Sequence, residues 1–161
     1  DFGRPDVRSP TVPRLPDPGV LPAAATREEA VALMEEVLLA GERTRIITTP
    51  LEDMVIRAEL LPHTVEKDTD ARERYARYVL ATLLDPFEIW LTLYDDGSYR
   101  KRYIGLFKAK NDLLVVLRQN RDGSLVWDLY NFMQRDSKSL NKLREGRLLY
   151  AVDQVIAGEG G

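Results

Sequence analysis

A chain of 161 residues suits a single domain with an arm at most, and its 44% apolar content is that of an ordinary globular protein. The absence of cysteine removes disulfides, thiolate metal sites and a cysteine nucleophile, and no apolar run approaches the ~20 residues of a membrane helix, so no membrane partner is expected. The net charge of −3 hides an asymmetry: residues 1–71 carry 8 Lys/Arg against 14 Asp/Glu, whereas residues 72–150 carry 15 against 10. The basic half could attract a polyanion, or it could be a solvated sheet rim balanced by acidic helices.

The chain opens on Asp1 with no initiator Met, which reads as a fragment or a processed product. Residues 1–25 hold six prolines between Pro5 and Pro22. Proline fixes φ and lacks a donor, so this segment reads as an extended arm or linker. "TREEAVALMEEVLLAG" follows. Thr26 and Glu29 fit a capping box, and Ala30, Leu33, Met34, Val37 and Leu38 line one helical face up to a stop at Gly41. "RIITTP" and "DMVIRAE" read as short strands. The stretch "ELLPHTVEKD" is a loop leading into a second helix, which starts near Asp70 with Glu73 in the reciprocal position. Tyr75, Tyr78, Val79 and Leu83 form the buried stripe of that helix, and Asp85-Pro86 ends it.

From there the period changes to two. "FEIWLTLY" alternates, "DDG" at 95–97 is a hairpin turn, and "YRKRYIGLF" is the return strand. "DLLVVLRQ" is apolar on both faces and reads as central. "NRDG" turns the chain again into "SLVWDLYNF", and "SKSLNKLREG" is a short helix before a final strand, "RLLYAV". Tight turns between consecutive strands imply an antiparallel meander. The fold expected is α+β: N-terminal helices, then a four-stranded antiparallel meander, then a short helix and strand.

No phosphate-cradling glycine loop occurs. A single histidine without cysteine disfavours zinc, "DDG" lacks the further ligands of a calcium loop, and no G-x-S-x-G supports a serine triad. For an enzyme, this leaves acid–base chemistry with no metal and no cofactor.

"DPFEIWL" at 85–91, "RYIGLF" at 102–107 and N-x-x-R-x-G-x-L-x-Y at 141–150 together resemble a phage-associated nuclease-like family. That family sits with barnase, EndoU, the tRNA-cleaving colicins and RelE, and it is often found at the C-terminus of Mu-F-like phage minor head proteins. The resemblance covers about residues 60–151. It implies a helix before a four-stranded antiparallel sheet and RNA cleavage without a metal. A base takes the 2′-OH proton, the oxygen attacks phosphorus, an acid protonates the leaving 5′ oxygen, and cations stabilise the transition state. The segment "MQRDSKS" before the short helix departs from a Pro-Thr-Ser-like pattern frequent in the family.

Beside that resemblance, His63 is the acid–base candidate because imidazole titrates near neutrality; the alternative is a loop or capping histidine. Lys67 could hold a phosphate before the second helix or be a solvated lysine. Glu88 shares a strand face with Trp90 and Thr92 and could be a base, or simply an exposed strand residue. Arg102 and Arg118 lie in strands beside apolar residues, so at least one should cross the sheet and grip a phosphate; the alternative is an ion pair with Asp128 or Glu88. Tyr103, Trp127 and Tyr130 could stack bases or be core. Ser137, Ser139, Asn141 and Arg144 surround the short last helix, whose N-terminus is a candidate anion site, with Ser137 alternatively a simple cap.

The domain boundaries read from the chain are an arm at 1–25, accessory elements at 26–59, a nuclease-like core at 60–152 and a tail at 153–161. The function expected is a metal-independent ribonuclease of a phage minor head protein, acting as a toxin or injected effector. Its partners would be RNA (tRNA included), phage head or portal proteins and an immunity protein. Its place would be the virion, then the bacterial cytoplasm. The rival expectation is an inactive structural domain packing on the portal or head–tail neck.

Overall fold

The computed structural model describes residues 3–65, 71–120, 122 and 124–153. Thr26 caps the first helix as its sequence requires: Oγ1 accepts from the Glu29 amide at 3.1 Å, and α1 runs over Arg27–Leu39 before the backbone turns left-handed at Ala40. Met34 and Leu38 on its inner stripe are fully buried. The hairpin β1 (Thr44–Thr48) and β2 (Asp53–Arg57) follows, and then a 3-10 helix, Ala58–Val65, that contains Pro62 and His63.

The second helix differs from expectation. A 3-10 turn spans Arg72–Tyr75, and α2 starts only at Ala76, running to Leu84. Glu73 does not close a capping box. It is 4% exposed, and its carboxylate accepts from the Ala24 amide of the arm at 2.9 Å. A partner distant in sequence outcompeted the local one. Asp70 lies outside the described residues.

Strands β3 (Glu88–Leu93), β4 (Tyr99–Gly105), β5 (Asp112–Gln119) and β6 (Trp127–Arg135) pair consecutively and antiparallel, with β5 at the centre. The expected four-stranded sheet is nevertheless part of a larger mixed one, in the order β1-β2-β6-β5-β4-β3-β7. A four-stranded meander leaves two edges with unpaired backbone groups. The β1–β2 hairpin covers one: β2 bridges β6 in parallel at Val55 and Asp128, and Arg57 pairs with Asp128 at 3.0 Å. After the short α3 (Ser137–Asn141), β7 (Arg147–Ala151) covers the other by pairing with β3.

One sheet face is packed by the helices. Tyr78 of α2 meets Phe107 at 4.5 Å between ring centroids, and Ile89, Tyr103, Val115 and Phe132 lie beneath, fully buried. Gly105 permits the close approach of α2, because a Cβ there would sit 2.1 Å from Thr82 Oγ1. The opposite face carries Phe87, Trp90, Ile104, Leu114 and Val116, and the arm and α3 cover this half with Val7, Val12 and Leu140.

The Pro-rich arm therefore lies on its own domain. Leu15 forms a parallel bridge to Phe107: its amide donates to the Leu106 carbonyl at 2.8 Å, and its carbonyl accepts from the Lys108 amide at 2.8 Å. Arg14 pairs with Asp112 at 2.9 Å and also donates to the Val7 carbonyl. Arg4 Nε reaches Glu88 at 2.6 Å.

Three outcomes follow from this packing. Gly146 has φ of 100°, and a Cβ there would meet the Leu91 carbonyl oxygen at 2.1 Å; backbone cannot yield, so Gly146→Ala should destabilise by about 2–4 kcal/mol in urea unfolding. Glu88 is 0% exposed between Arg4 and Arg144; Glu88→Gln leaves two buried guanidiniums short of charge and should cost about 3–5 kcal/mol. Asp17 is held below the usual carboxylate range by the Tyr78 hydroxyl and the Gly19 amide, and Asp6 by the Arg8 side chain and amide and by Asn141. Depressed carboxylates stabilise the docked arm fully above their unfolded pKa of about 4, and the contribution is lost as pH falls through the lower folded values. Proteolytic nicking of the arm should therefore rise below about pH 4, read by limited digestion with pepsin.

Candidate functional site

The half of the second sheet face that the arm leaves open is built by register. Thr92, Arg100 and Arg118 lie side by side across β3, β4 and β5, and Trp90, Arg102 and Val116 form the next row. Period-two alternation thus puts three arginines on one face. A β-bulge opposite Val116 and Leu117 inserts Tyr130 as an extra residue in β6. Bulges re-aim side chains, and here Tyr130 reaches the same arginines.

These side chains form a ladder of alternating cations and rings. The Arg118 guanidinium carbon lies 4.2 Å and that of Arg100 4.8 Å from the Tyr130 ring centroid. Arg100 also lies 4.2 Å from the Tyr94 centroid, and Arg102 lies 4.9 Å from it on donating to the Tyr94 hydroxyl at 3.0 Å. Stacking of this kind orients a guanidinium while leaving its edge donors for an anion. Arg100 Nε is buried with no hydrogen-bond partner among the described residues, an expensive state that an incoming oxygen would relieve. Arg102 is the more constrained, donating to the Leu143 carbonyl at 2.9 Å and to Glu145 at 3.2 Å.

His63 stands at the β6 end of this ladder. It is exposed, and its ring lies 6.3 Å from Tyr130 with an interplanar angle of 29°. Arg72 reaches the same edge and donates to Asn131 at 2.8 Å. His63, Arg102, Arg118 and Tyr130 are thus brought to one surface. Lys67 lies outside the described residues.

The other candidates sit elsewhere. Glu88 is fully buried under the arm: Oε1 accepts from Trp90 Nε1 at 2.9 Å and Arg144 Nε at 2.6 Å, and Oε2 from Arg144 at 2.6 Å and Arg4 at 2.6 Å. The ion pairs weighed for Arg102 and Arg118 are not formed, since Asp128 takes Arg57 and Asn120, and Glu88 takes Arg144 and Arg4. Asn141 Oδ1 accepts from the Val7 amide and from Arg144, and Arg144 also donates to the Pro5 carbonyl at 2.7 Å. Ser137 is not the cap of α3. Asp136 is, accepting from the Ser139 amide at 2.7 Å, while Ser137 donates to Asp112 at 2.7 Å. Tyr103 is on the helix face, fully buried, with its hydroxyl donating to Glu52 and its ionisation pushed up by burial and by Glu52. Trp127, on that face too, lies 4.2 Å from Lys101.

Sequence reasoning missed Arg100 and Tyr94. Arg100 shares its strand parity with Arg102, so alternation alone could have found it. The bulge that turns Tyr130 had no such signal.

A family model described as phage-Barnase-EndoU-ColicinE5/D-RelE like nuclease2 matches residues 27–151. No curated protein and no solved structure matches the chain. The matched span runs from α1 to the end of β7, so it takes in the whole seven-stranded sheet and every rung of the arginine ladder. The chain belongs to this family of phage nuclease-like proteins.

Proposed function

We propose that the open sheet face binds and cleaves RNA, with the arginine ladder facing the scissile phosphate. The observation that carries this reading is the convergence of Arg100, Arg118, Tyr94 and Tyr130, with His63 at its end, on the sheet face beyond the arm. His63 takes the 2′-OH proton or protonates the leaving 5′ oxygen, since imidazole can do either near neutral pH. Arg100, Arg102 and Arg118 stabilise the charge that gathers on the phosphoryl oxygens. Charge stabilisation is assigned to arginine because its planar fork can grip phosphoryl oxygens with two parallel donors. Tyr130 and Tyr94 hold those guanidiniums in place. The need for a 2′-OH nucleophile makes RNA the substrate class, with tRNA the first to try. Lys67 belongs to the proposal as a further cation from sequence alone.

A structural role on a phage portal or neck is the second reading. Leu93, Tyr99 and Leu125 favour it, being 59%, 54% and 72% exposed near the far ends of β3, β4 and β6.

The test is incubation of the full chain with total tRNA in EDTA. Cleavage should leave 2′,3′-cyclic phosphate ends. His63→Ala should lower the rate by about 10²–10⁴-fold, and Arg118→Ala by about 10²–10³-fold. No cleavage by the wild type overturns the activity, whereas equal cleavage by all three proteins overturns the site.

A further inference from the structure

On the same sheet face, beyond the ladder, lies a concavity of about 350 Å³. It is lined by Trp90 of β3, by Lys138, Asn141, Lys142 and Arg144 from α3 and its exit, and by Asp6 and Arg8 of the arm. Four of these seven residues are cations and one is an anion. Two of the cations are already committed, Arg144 to Glu88 and Arg8 to Asp6. Lys138 and Lys142 are exposed and make no ion pair among the described residues. Trp90 is 4% exposed and directly opposite Arg102 in the β3–β4 register, so one wall of the concavity is one strand away from the ladder.

We propose that this pocket is a second phosphate subsite, holding single-stranded RNA several nucleotides from the cleaved bond through Lys138 and Lys142, with the arm as one wall. The inference rests on the RNA reading above and extends it. From Tyr130 on β6 to Trp90 on β3 there are three strand spacings, about 14 Å, or roughly four stacked nucleotides at about 3.4 Å each. A ligand that touches both ends is therefore an oligonucleotide. The arm lies outside the region matched by the family model.

The experiment measures binding of a non-cleavable 2′-O-methyl 12-mer and cleavage of a dinucleotide, using the full chain. The double variant Lys138→Ala/Lys142→Ala should weaken 12-mer binding about tenfold and flatten the slope of log K against log salt by about 1.4, at ~0.7 per lost phosphate contact. Dinucleotide cleavage should not change. A control pair, Lys108→Ala/Lys110→Ala, removes the same charge from exposed positions in the β4–β5 loop and should leave 12-mer binding intact. Wild-type affinity and slope in the Lys138/Lys142 variant would overturn the subsite while leaving RNA binding standing. Equal loss from both lysine pairs would reduce the effect to general charge and overturn it too. A wild-type chain that binds no 12-mer even at low salt overturns the RNA reading and the subsite together.

Discussion

The carboxylate of Glu88 sits at 0% exposure between the guanidiniums of Arg144 and Arg4, with Trp90 Nε1 completing its shell. Three parts of the chain far apart in sequence meet there: strand β3, the turn that follows α3, and the arm. A buried charge is tolerated only when its lone pairs are matched, and removing one partner strands the others. That makes the cluster a strong constraint on which segments can lie together. Arg144 in turn donates to Asn141 and to the Pro5 carbonyl, and Asn141 accepts from Val7. The polar network sets the arm's path, and the buried side chains of Val7 and Val12 then add apolar contact.

With the arm fixed, the second sheet face divides in two. One half becomes a sealed layer in which family-motif residues such as Phe87, Glu88 and Arg144 are covered. The other half carries the arginine ladder, of which Arg100 and Arg118 are partly exposed and Arg102 is buried. The division follows from how far the arm and α3 reach across the strands. It also sorts the charged residues by surroundings: Glu88 and Arg144 face each other in a dry interior, while the half-buried Arg100 and Arg118 stack on rings. Arginines of the first kind have their donors satisfied; those of the second kind have edge donors to spare.

Much of this was legible in the residues. The capping of α1 by Thr26, the turn at 95–97, the central place of β5 and the alternation of β3 and β4 all follow from local rules, and the structure has them. What was not legible is non-local. Nothing in "DMVIRAE" says that it will pair in parallel with β6, and nothing in a Pro-rich arm says that Arg4 will neutralise a strand carboxylate. Glu73 looked like half of a capping box because Asp70 stands three residues earlier, yet it binds the Ala24 amide. The site divides the same way. Arg102 and Arg118 could be placed on a common face by counting in twos along each strand and fixing the register, but Tyr130 joins them only through a bulge, which shifts parity by one and defeats the count.

The bulge also bears on why an active site would sit here. A regular β6 would have alternated its side chains strictly, so Leu129 and Phe132, three residues apart, would have fallen on opposite faces, and Tyr130 would have shared the helix face with Phe132. The extra residue leaves Leu129 packed in the helix-side core, fully in register with Leu117, and presents Tyr130 to Arg100 and Arg118 on the other side. A single inserted residue thus separates two demands that a strand of period two couples. The core keeps its leucine, and the other face gains a ring that holds two cations at 4.2 Å and 4.8 Å from its centroid. Two like charges brought that near repel one another, and the ring's negative face offsets only part of this. Asp96, 3.3 Å from Arg100, offsets a further part, and in the proposed reading a phosphate between the two guanidiniums removes the rest before any chemistry is assigned to His63.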